Sequence, residues 1–283
     1  MRKTLSAALI FLASMGQAQD SSLRSLESRD ATRGWEAVGF LEIGGRGFCT
    51  GALIAEDLVL TAAHCLFDKA TGAAIDPTTI QFLAGWQNGR AVATRAVKRG
   101  VSHPSYTFQN EPGADRVRTD SALLQLAEPI RDGVINPFAV DNQPAAGADV
   151  GVVSYAHDRA TAPSIQRTCR LKDKISAVLV MSCDVDYGSS GAPVFSFAFG
   201  HPRIVSVVSA KANLDGEKIS LGTDLAGTLP ELKQHLRAEI GLPQGSAGAA
   251  RISTIGERRQ TGAKFVRAGG RTAPLKAPHC LPI

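Results

Sequence analysis

Three short segments carry residue types that together could move a proton and attack a carbonyl carbon. Gly188-Ser189-Ser190-Gly191-Ala192-Pro193 sets a serine between glycines, where the backbone can turn sharply and aim its N–H groups at a reacting oxygen. Thr61-Ala62-Ala63-His64-Cys65 ends a strand-like run with a histidine, whose ordinary pKa of ~6.5 suits proton shuttling near neutrality. Thr119-Asp120-Ser121 opens a third, apolar stretch with an aspartate. Acyl transfer from an amide needs a nucleophile, a base, a group that orients the base, and donors for the developing oxyanion. Ser190 can be the nucleophile and His64 the base. Asp120 can fix the imidazole tautomer, and the Gly188 and Ser190 amides can face the oxyanion.

The elements that must position these residues are short and extended. From Trp35 onward, β-like runs at 37–43, 51–54, 58–61, 80–83, 91–94, 121–126, 150–155, 177–181, 193–197 and 203–208 are separated by Gly, Pro, Asn and Asp. Many short strands with few helical stretches point to an all-β barrel or sandwich. One segment departs from this pattern. Leu229, Leu232, Leu236 and Ile240 fall at helical spacing, so a closing helix is expected over 229–240, with Thr228 as N-cap, Pro230 in the first turn and Gly241 as the stop. Gly44-Gly45-Arg46-Gly47 reads as a hairpin turn, and Trp35 and Trp86 as core or interface aromatics.

The chain ends differ from this body. Arg2 and Lys3 precede an apolar stretch at 5–13, far short of the ~20 residues that span a bilayer, and Gly16 and Ala18 are small. Residues 1–18 therefore read as an export signal cleaved after Ala18, and 19–34 as a polar leader or propeptide without apolar periodicity. A catalytic domain over 35–241 and a basic tail over 242–283 complete the division. The tail is rich in Gly, Ala and Arg, with a candidate hairpin over 250–255 and 263–267. It holds seven basic residues and one acid, a net +6, against +5 for the whole chain of 283 residues. With +2 from Arg2 and Lys3, the rest is left at −3. Basicity thus belongs to the tail, which argues against a nucleic-acid-binding fold and suggests at most weak association with an anionic envelope surface. In an exported chain, four of the five cysteines (Cys49, Cys65, Cys169, Cys183, Cys280) could form two bridges. Cys169 and Cys183 are close enough in sequence to staple the approach to Ser190. His157, His201, His235 and His279 lack metal-site spacing, so neither metal nor other cofactor is expected.

Histidine, aspartate, serine is the chain order of the chymotrypsin-type triad, not that of subtilisin or the α/β-hydrolases. On these residues the chain resembles the trypsin/chymotrypsin-fold serine endopeptidases, and within them the bacterial branch near the glutamyl endopeptidases. Cys49-Thr50-Gly51-Ala52-Leu53-Ile54 followed by Leu60-Thr61-Ala62-Ala63-His64-Cys65 resembles the segment around the family's histidine, which implies a Cys49–Cys65 bridge. His103-Pro104-Ser105-Tyr106 resembles the motif before the family's aspartate, which favours Asp120 over Asp115. The likeness spans roughly 35–240. It implies two packed six-stranded antiparallel β-barrels with the triad at their junction, acting on protein or peptide substrates through an acyl-enzyme. A secreted or periplasmic monomer is expected. The alternative is a protease-fold binding protein with a closed or inactive site.

Several positions depart from the family pattern. Ser189 stands where digestive members carry the aspartate that pairs with a new N-terminal ammonium, so activation without that ion pair is expected. Asp184 lies six residues before Ser190, at the spacing of a selector for basic side chains, although Cys183 alters the loop and Asp186 could face the site instead. Val208 replaces the pocket histidine of the glutamyl enzymes. Ser209-Ala210-Lys211 resembles the strand that pairs with substrate backbone, so binding by strand addition is expected. The tail is too short for a PDZ domain, and Cys280 is left to pair with another chain or stay free.

Overall fold

The computed structural model describes residues 22–109, 113–141, 144–198, 200–240 and 280–282. The candidate signal at 1–18, the tail hairpin and the helix-stopping Gly241 lie outside them. Six strands build the first barrel: β2 (Val38–Ile43), β3 (Phe48–Ala55), β4 (Leu58–Thr61), β5 (Ile80–Ala84), β6 (Ala93–Ser102) and β7 (Ala122–Leu126). They pair antiparallel in the order β2-β3-β4-β7-β6-β5, and β5 closes back onto β2. The pleat sends alternate residues inward, as in β5, where Ile80, Phe82 and Ala84 are buried and Gln81 is exposed.

The second barrel uses β8 (Asp149–Ser154), β9 (Ser164–Ile175), β10 (Val178–Met181), β11 (Pro193–Ser196), β12 (Arg203–Leu214) and β13 (Glu217–Asp224). Its order is β9-β10-β13-β12-β11-β8, closed by pairing of β8 with β9. The short β1 (Arg24–Ser25) adds to β9, and β14 (Cys280–Pro282) adds to β12. Aromatic rings fill the seam between barrels. Tyr155, fully buried just after β8, meets Phe40 of β2 edge-on at 5.6 Å and donates its hydroxyl to the Trp86 carbonyl at 2.9 Å. Trp35 packs on Phe138 and Phe195 at centroid distances of 5.9 and 5.1 Å.

The structure differs from the sequence reading at three places. Residues 22–33, read from their polarity as a flexible leader, are packed. The Leu26 amide donates to the Pro163 carbonyl at 2.8 Å and its side chain is buried in the core. Ser28 caps the single turn α1 (Arg29–Thr32) through the Ala31 amide. One apolar anchor and a few backbone bonds suffice here, and hydropathy counting does not see them.

The closing helix, α3 (Leu225–Ile240), begins four residues earlier than the apolar spacing suggested. The cap is the Asp224 carboxylate, which accepts from the Ala226 amide at 3.1 Å, while Thr228 lies inside the helix and donates to the Asp224 carbonyl at 3.0 Å. Pro230 therefore falls within the helix, beyond the first turn. The third difference is β9, together with β13, which apolar runs did not reveal. Arg167, Arg170 and Lys172 project from β9 into solvent around inward residues such as Cys169 and Leu171, and Lys174 pairs with Asp224 at 2.6 Å.

Candidate active site

Each candidate residue sits where a strand of one barrel ends against the other. His64 follows β4 in a single 3₁₀ turn over Ala63–Leu66. Cys65 in that turn is bridged to Cys49 of β3, so the turn is anchored to a neighbouring strand. The sulfur atoms and the His64 ring lie close together, but two bridged sulfurs have no thiolate to offer a metal.

Asp120 ends the helical segment α2 (Ala114–Thr119), just before β7. Its carboxylate is wholly buried and serves His64 twice. One oxygen accepts the His64 backbone N–H at 2.8 Å, and the other lies 2.7 Å from Nδ1. A hydroxyl from the second barrel, that of Ser209, also donates to the latter oxygen. Thr223 of β13 donates to the Asp120 and Val117 carbonyls at 3.0 and 2.7 Å. Burial alone would raise the Asp120 pKa, but His64, the Arg116 guanidinium and the Ser209 hydroxyl together hold it below the ordinary carboxylate value. Facing a carboxylate, Nδ1 carries the proton and Nε2 is left as an acceptor. Nε2 is buried and has no hydrogen-bond partner among the described residues. Asp115, the other candidate acid, is exposed and paired with Arg118.

Ser190 lies on the turn leading into β11 and is 2% exposed. Its carbonyl accepts the Thr50 amide at 2.9 Å, which joins the loop to β3 beside the Cys49–Cys65 bridge. Gly191 lies closer still. A Cβ there would sit 2.1 Å from Thr61 Oγ1 and 2.7 Å from the Ala62 nitrogen, two residues before His64. On the other side, the Gly191 amide donates to the Val208 carbonyl at 2.8 Å. The loop is thus clamped between β12 and the strand end that carries the histidine. The Cys169–Cys183 bridge ties the chain approaching this loop to β9.

Thr50 emerges as an organiser that sequence reasoning passed over. Its hydroxyl donates to the Gly188 carbonyl at 2.9 Å and accepts the Tyr155 amide at 3.1 Å. Its own carbonyl accepts the Thr61 hydroxyl at 2.9 Å. Gly188 has φ +93°, and Phe48 fills the space where a side chain would begin, 2.3 Å from an ideal Cβ. The Thr50 hydroxyl therefore fixes which way the peptide after Gly188 faces. If the Gly188 and Ser190 amides receive an oxyanion as expected from the sequence, Thr50→Val, nearly isosteric, should lower kcat by about 10- to 100-fold with KM little changed, because it loosens the turn that presents them. Steady-state kinetics on an ester or anilide substrate check this. Arg116 was also missed: it is buried and donates to the Gln109 carbonyl at 3.0 Å. Its exposed-looking context of charged residues gave no signal.

The remaining candidates are dispersed. Ser209, expected to meet substrate through its backbone, directs its hydroxyl onto Asp120. Ala210 and Lys211 follow it on β12. Asp184 is exposed, and its amide donates to Gln166. It shares a hollow of about 650 Å³ with Asp186, Lys211 and Lys218, walled by Val185, Ala212 and Ile219. Lys211 is paired with Asp186 at 2.6 Å. Asp184 is exposed, so solvent screens its charge. Asp184→Ala is expected to lower kcat/KM for Arg and Lys substrates by less than 10-fold; paired anilide substrates measure it.

Ser189 is buried and held by neutral partners, the Ser154 hydroxyl at 3.2 Å and the Tyr155 carbonyl at 3.3 Å. An ammonium has no carboxylate to meet there. Activity is therefore expected to be insensitive to which residue between 20 and 23 begins the chain, all of them ahead of β1 and the buried Leu26. Comparing kcat/KM for chains starting at different positions checks it, and strict dependence on one N-terminus would contradict it.

Comparison with known proteins agrees with this architecture. The chain is 26% identical over 152 residues to trypsin Blo t 3 of Blomia tropicalis, covering 52% of this chain and 53% of that protein. It is 25% identical over 150 residues to the glutamyl endopeptidase of Bacillus licheniformis, covering 53% and 45%. It is 29% identical over 176 residues to serine protease 23 of Mus musculus, covering 55% and 44%. The chain thus spans about half the length of these curated relatives. A solved structure of a Glu endopeptidase in complex with MPD superposes with a TM-score of 0.63 at 18% identity, over 77% of this chain and 98% of that one. Residues 27–196 match the family described as Trypsin, more than half of the sequence, and the chain belongs to that family.

Proposed function

We propose that the protein is an exported serine endopeptidase that hydrolyses peptide bonds through an acyl-enzyme. Ser190 attacks the carbonyl carbon, and His64 Nε2 takes the hydroxyl proton. Asp120 holds the imidazole and stabilises its charged form, and the amides of Gly188 and Ser190 receive the oxyanion. His64 then returns the proton to the leaving amine, and water repeats the sequence to release the acid. The observation that carries this reading is the state of His64. Both its Nδ1 and its backbone amide are engaged by one buried carboxylate, while Nε2 is left without a partner. A purely structural histidine in the same place would have both ring nitrogens satisfied.

Two disulfides suit an oxidising compartment, and no helix among the described residues is long and apolar enough to cross a membrane. The glutamyl preference in a relative's name is not carried over, because Val208 offers no cationic or hydrogen-bonding group to a substrate carboxylate. Digestion of unfolded casein by the wild type, compared with Ser190→Ala, tests the proposal. Fragmentation by the first and none by the second is expected. Equal fragmentation, or none by either, would favour the binding-protein alternative.

A further inference from the structure

The strand edge that leads to Ser190 is already taken. β11 pairs with β12 only as far as Pro193 opposite Val207. Beyond that the chain of β11 has turned into the nucleophile loop, held by the Gly191 amide on the Val208 carbonyl. The other edge of β12 stays occupied by β13, with Ala210 opposite Leu221, Lys211 opposite Ser220 and Ala212 opposite Ile219. The barrel therefore leaves one edge of 210–212 open, next to the loop that carries Ser190. There β14 adds antiparallel, with Pro282 opposite Ala210, Leu281 opposite Lys211 and Cys280 opposite Ala212.

Direction gives this pairing its meaning. The acyl half of a peptide substrate lies on the N-terminal side of the bond that breaks, so it must run towards Ser190 in the N-to-C sense. Residue numbers in β14 rise as those of β12 fall from 212 to 210, towards Ser209 and Val208. These are the residues that contact Asp120 and Gly191. The segment thus follows the path and polarity of an acyl-side substrate strand, and main-chain pairing of this kind is a recognised mode of peptide capture.

We propose that Cys280–Pro282 is an intramolecular competitor that occupies the acyl-side strand site of the same chain. This rests on reading Ser190, His64 and Asp120 as a proteolytic site. Tethering presents the segment at an effective concentration on the order of 1 mM. A strand with a dissociation constant of about 0.1 mM would then be displaced by substrate only with a KM raised about 10-fold.

The test uses the full chain carrying both Cys280→Pro and Leu281→Pro. With Pro282, the segment then has no backbone N–H to give β12. Its kcat/KM on a short anilide substrate should rise about 10-fold through KM, with kcat unchanged. A synthetic peptide of residues 276–283, with Cys280→Ser to avoid oxidation, should inhibit the variant competitively. In a Ser190→Ala background, the fluorescently labelled peptide should bind the double-proline chain at least about 5-fold more tightly than the chain with its own segment intact. Equal KM values for two forms with equal turnover, or equal peptide binding in the two Ser190→Ala chains, would overturn the proposal. Absence of turnover in both active-site-intact forms would count against the protease reading alone, since the binding arm does not depend on catalysis.

Discussion

Asp120→Asn is expected to lower kcat by about 10⁴-fold while leaving the barrels folded, and the reason lies in the tautomer. Asp120 accepts from the His64 amide with one oxygen and faces Nδ1 with the other. An asparagine that keeps its carbonyl on the backbone N–H turns its NH₂ towards Nδ1. The ring must then carry its proton on Nε2, the atom that has to accept the Ser190 proton. The Ser209 hydroxyl would also lose a carboxylate acceptor. His64→Ala removes the base outright and should cost at least as much. Single-turnover acylation with an activated ester separates this loss from product release.

The same carboxylate makes a signed prediction about pH. Its folded-state pKa is depressed below 3.8, so its contribution to stability is fully present above that value and is lost as pH falls through the lower, folded one. Thermal melts of the wild type should therefore decline with acid more steeply than those of Asp120→Asn over that range.

Gly191→Ala is the second large effect. Gly191 has φ +74°, and an added Cβ would meet Thr61 Oγ1 at 2.1 Å, the Thr50 carbonyl at 2.5 Å and the Ala62 nitrogen at 2.7 Å. Two of these are backbone atoms of β3 and of the strand end before His64, and a side-chain rotation cannot move them. A loss of at least about 3 kcal/mol of stability is expected, together with activity lost well beyond what unfolding explains. Gly45→Ala provides the control. Its φ is +72° but nothing lies within 4 Å of the added carbon, so only the backbone strain of about 1 kcal/mol should appear. The difference between the two denaturation midpoints isolates the close approach of the nucleophile loop to β3.

Much of the fold could be read because its signals are local. Apolar runs marked β2, β4, β5 and β10 within a residue or two, and Gly44 to Gly47 form the turn between β2 and β3, as their composition suggests. What escaped has physical causes. β9 sets charged residues among buried ones, and β13 sets the buried Ser220, Gly222 and Thr223 around Leu221, so no apolar run announces either, although Asp215-Gly216, both at positive φ, is a hairpin signal that could have located β12 and β13 together. The turn from β9 to β10 places Ser176 and Ala177 at φ +48° and +67°, where sequence rules expect glycine or asparagine.

The candidate chemistry was legible for a different reason. His64, Asp120 and Ser190 are each flanked by residues that the fold needs close by, such as Cys65 and Gly191. Thr50 acts across the barrel seam and Arg116 from a buried position beside Asp120, and nothing next to them in sequence foretells it. Nor could sequence reveal that residues 280–282 return to pair with β12.

The central claim is that Ser190 is a nucleophile activated by His64. Intact-mass and peptide-level analysis after reaction with a fluorophosphonate tests it most directly. One adduct per chain, located on Ser190, absent from Ser190→Ala and strongly slowed in His64→Ala, is the predicted result. Labelling that persists in Ser190→Ala at the wild-type rate, or a well-folded wild type that never reacts, would contradict it.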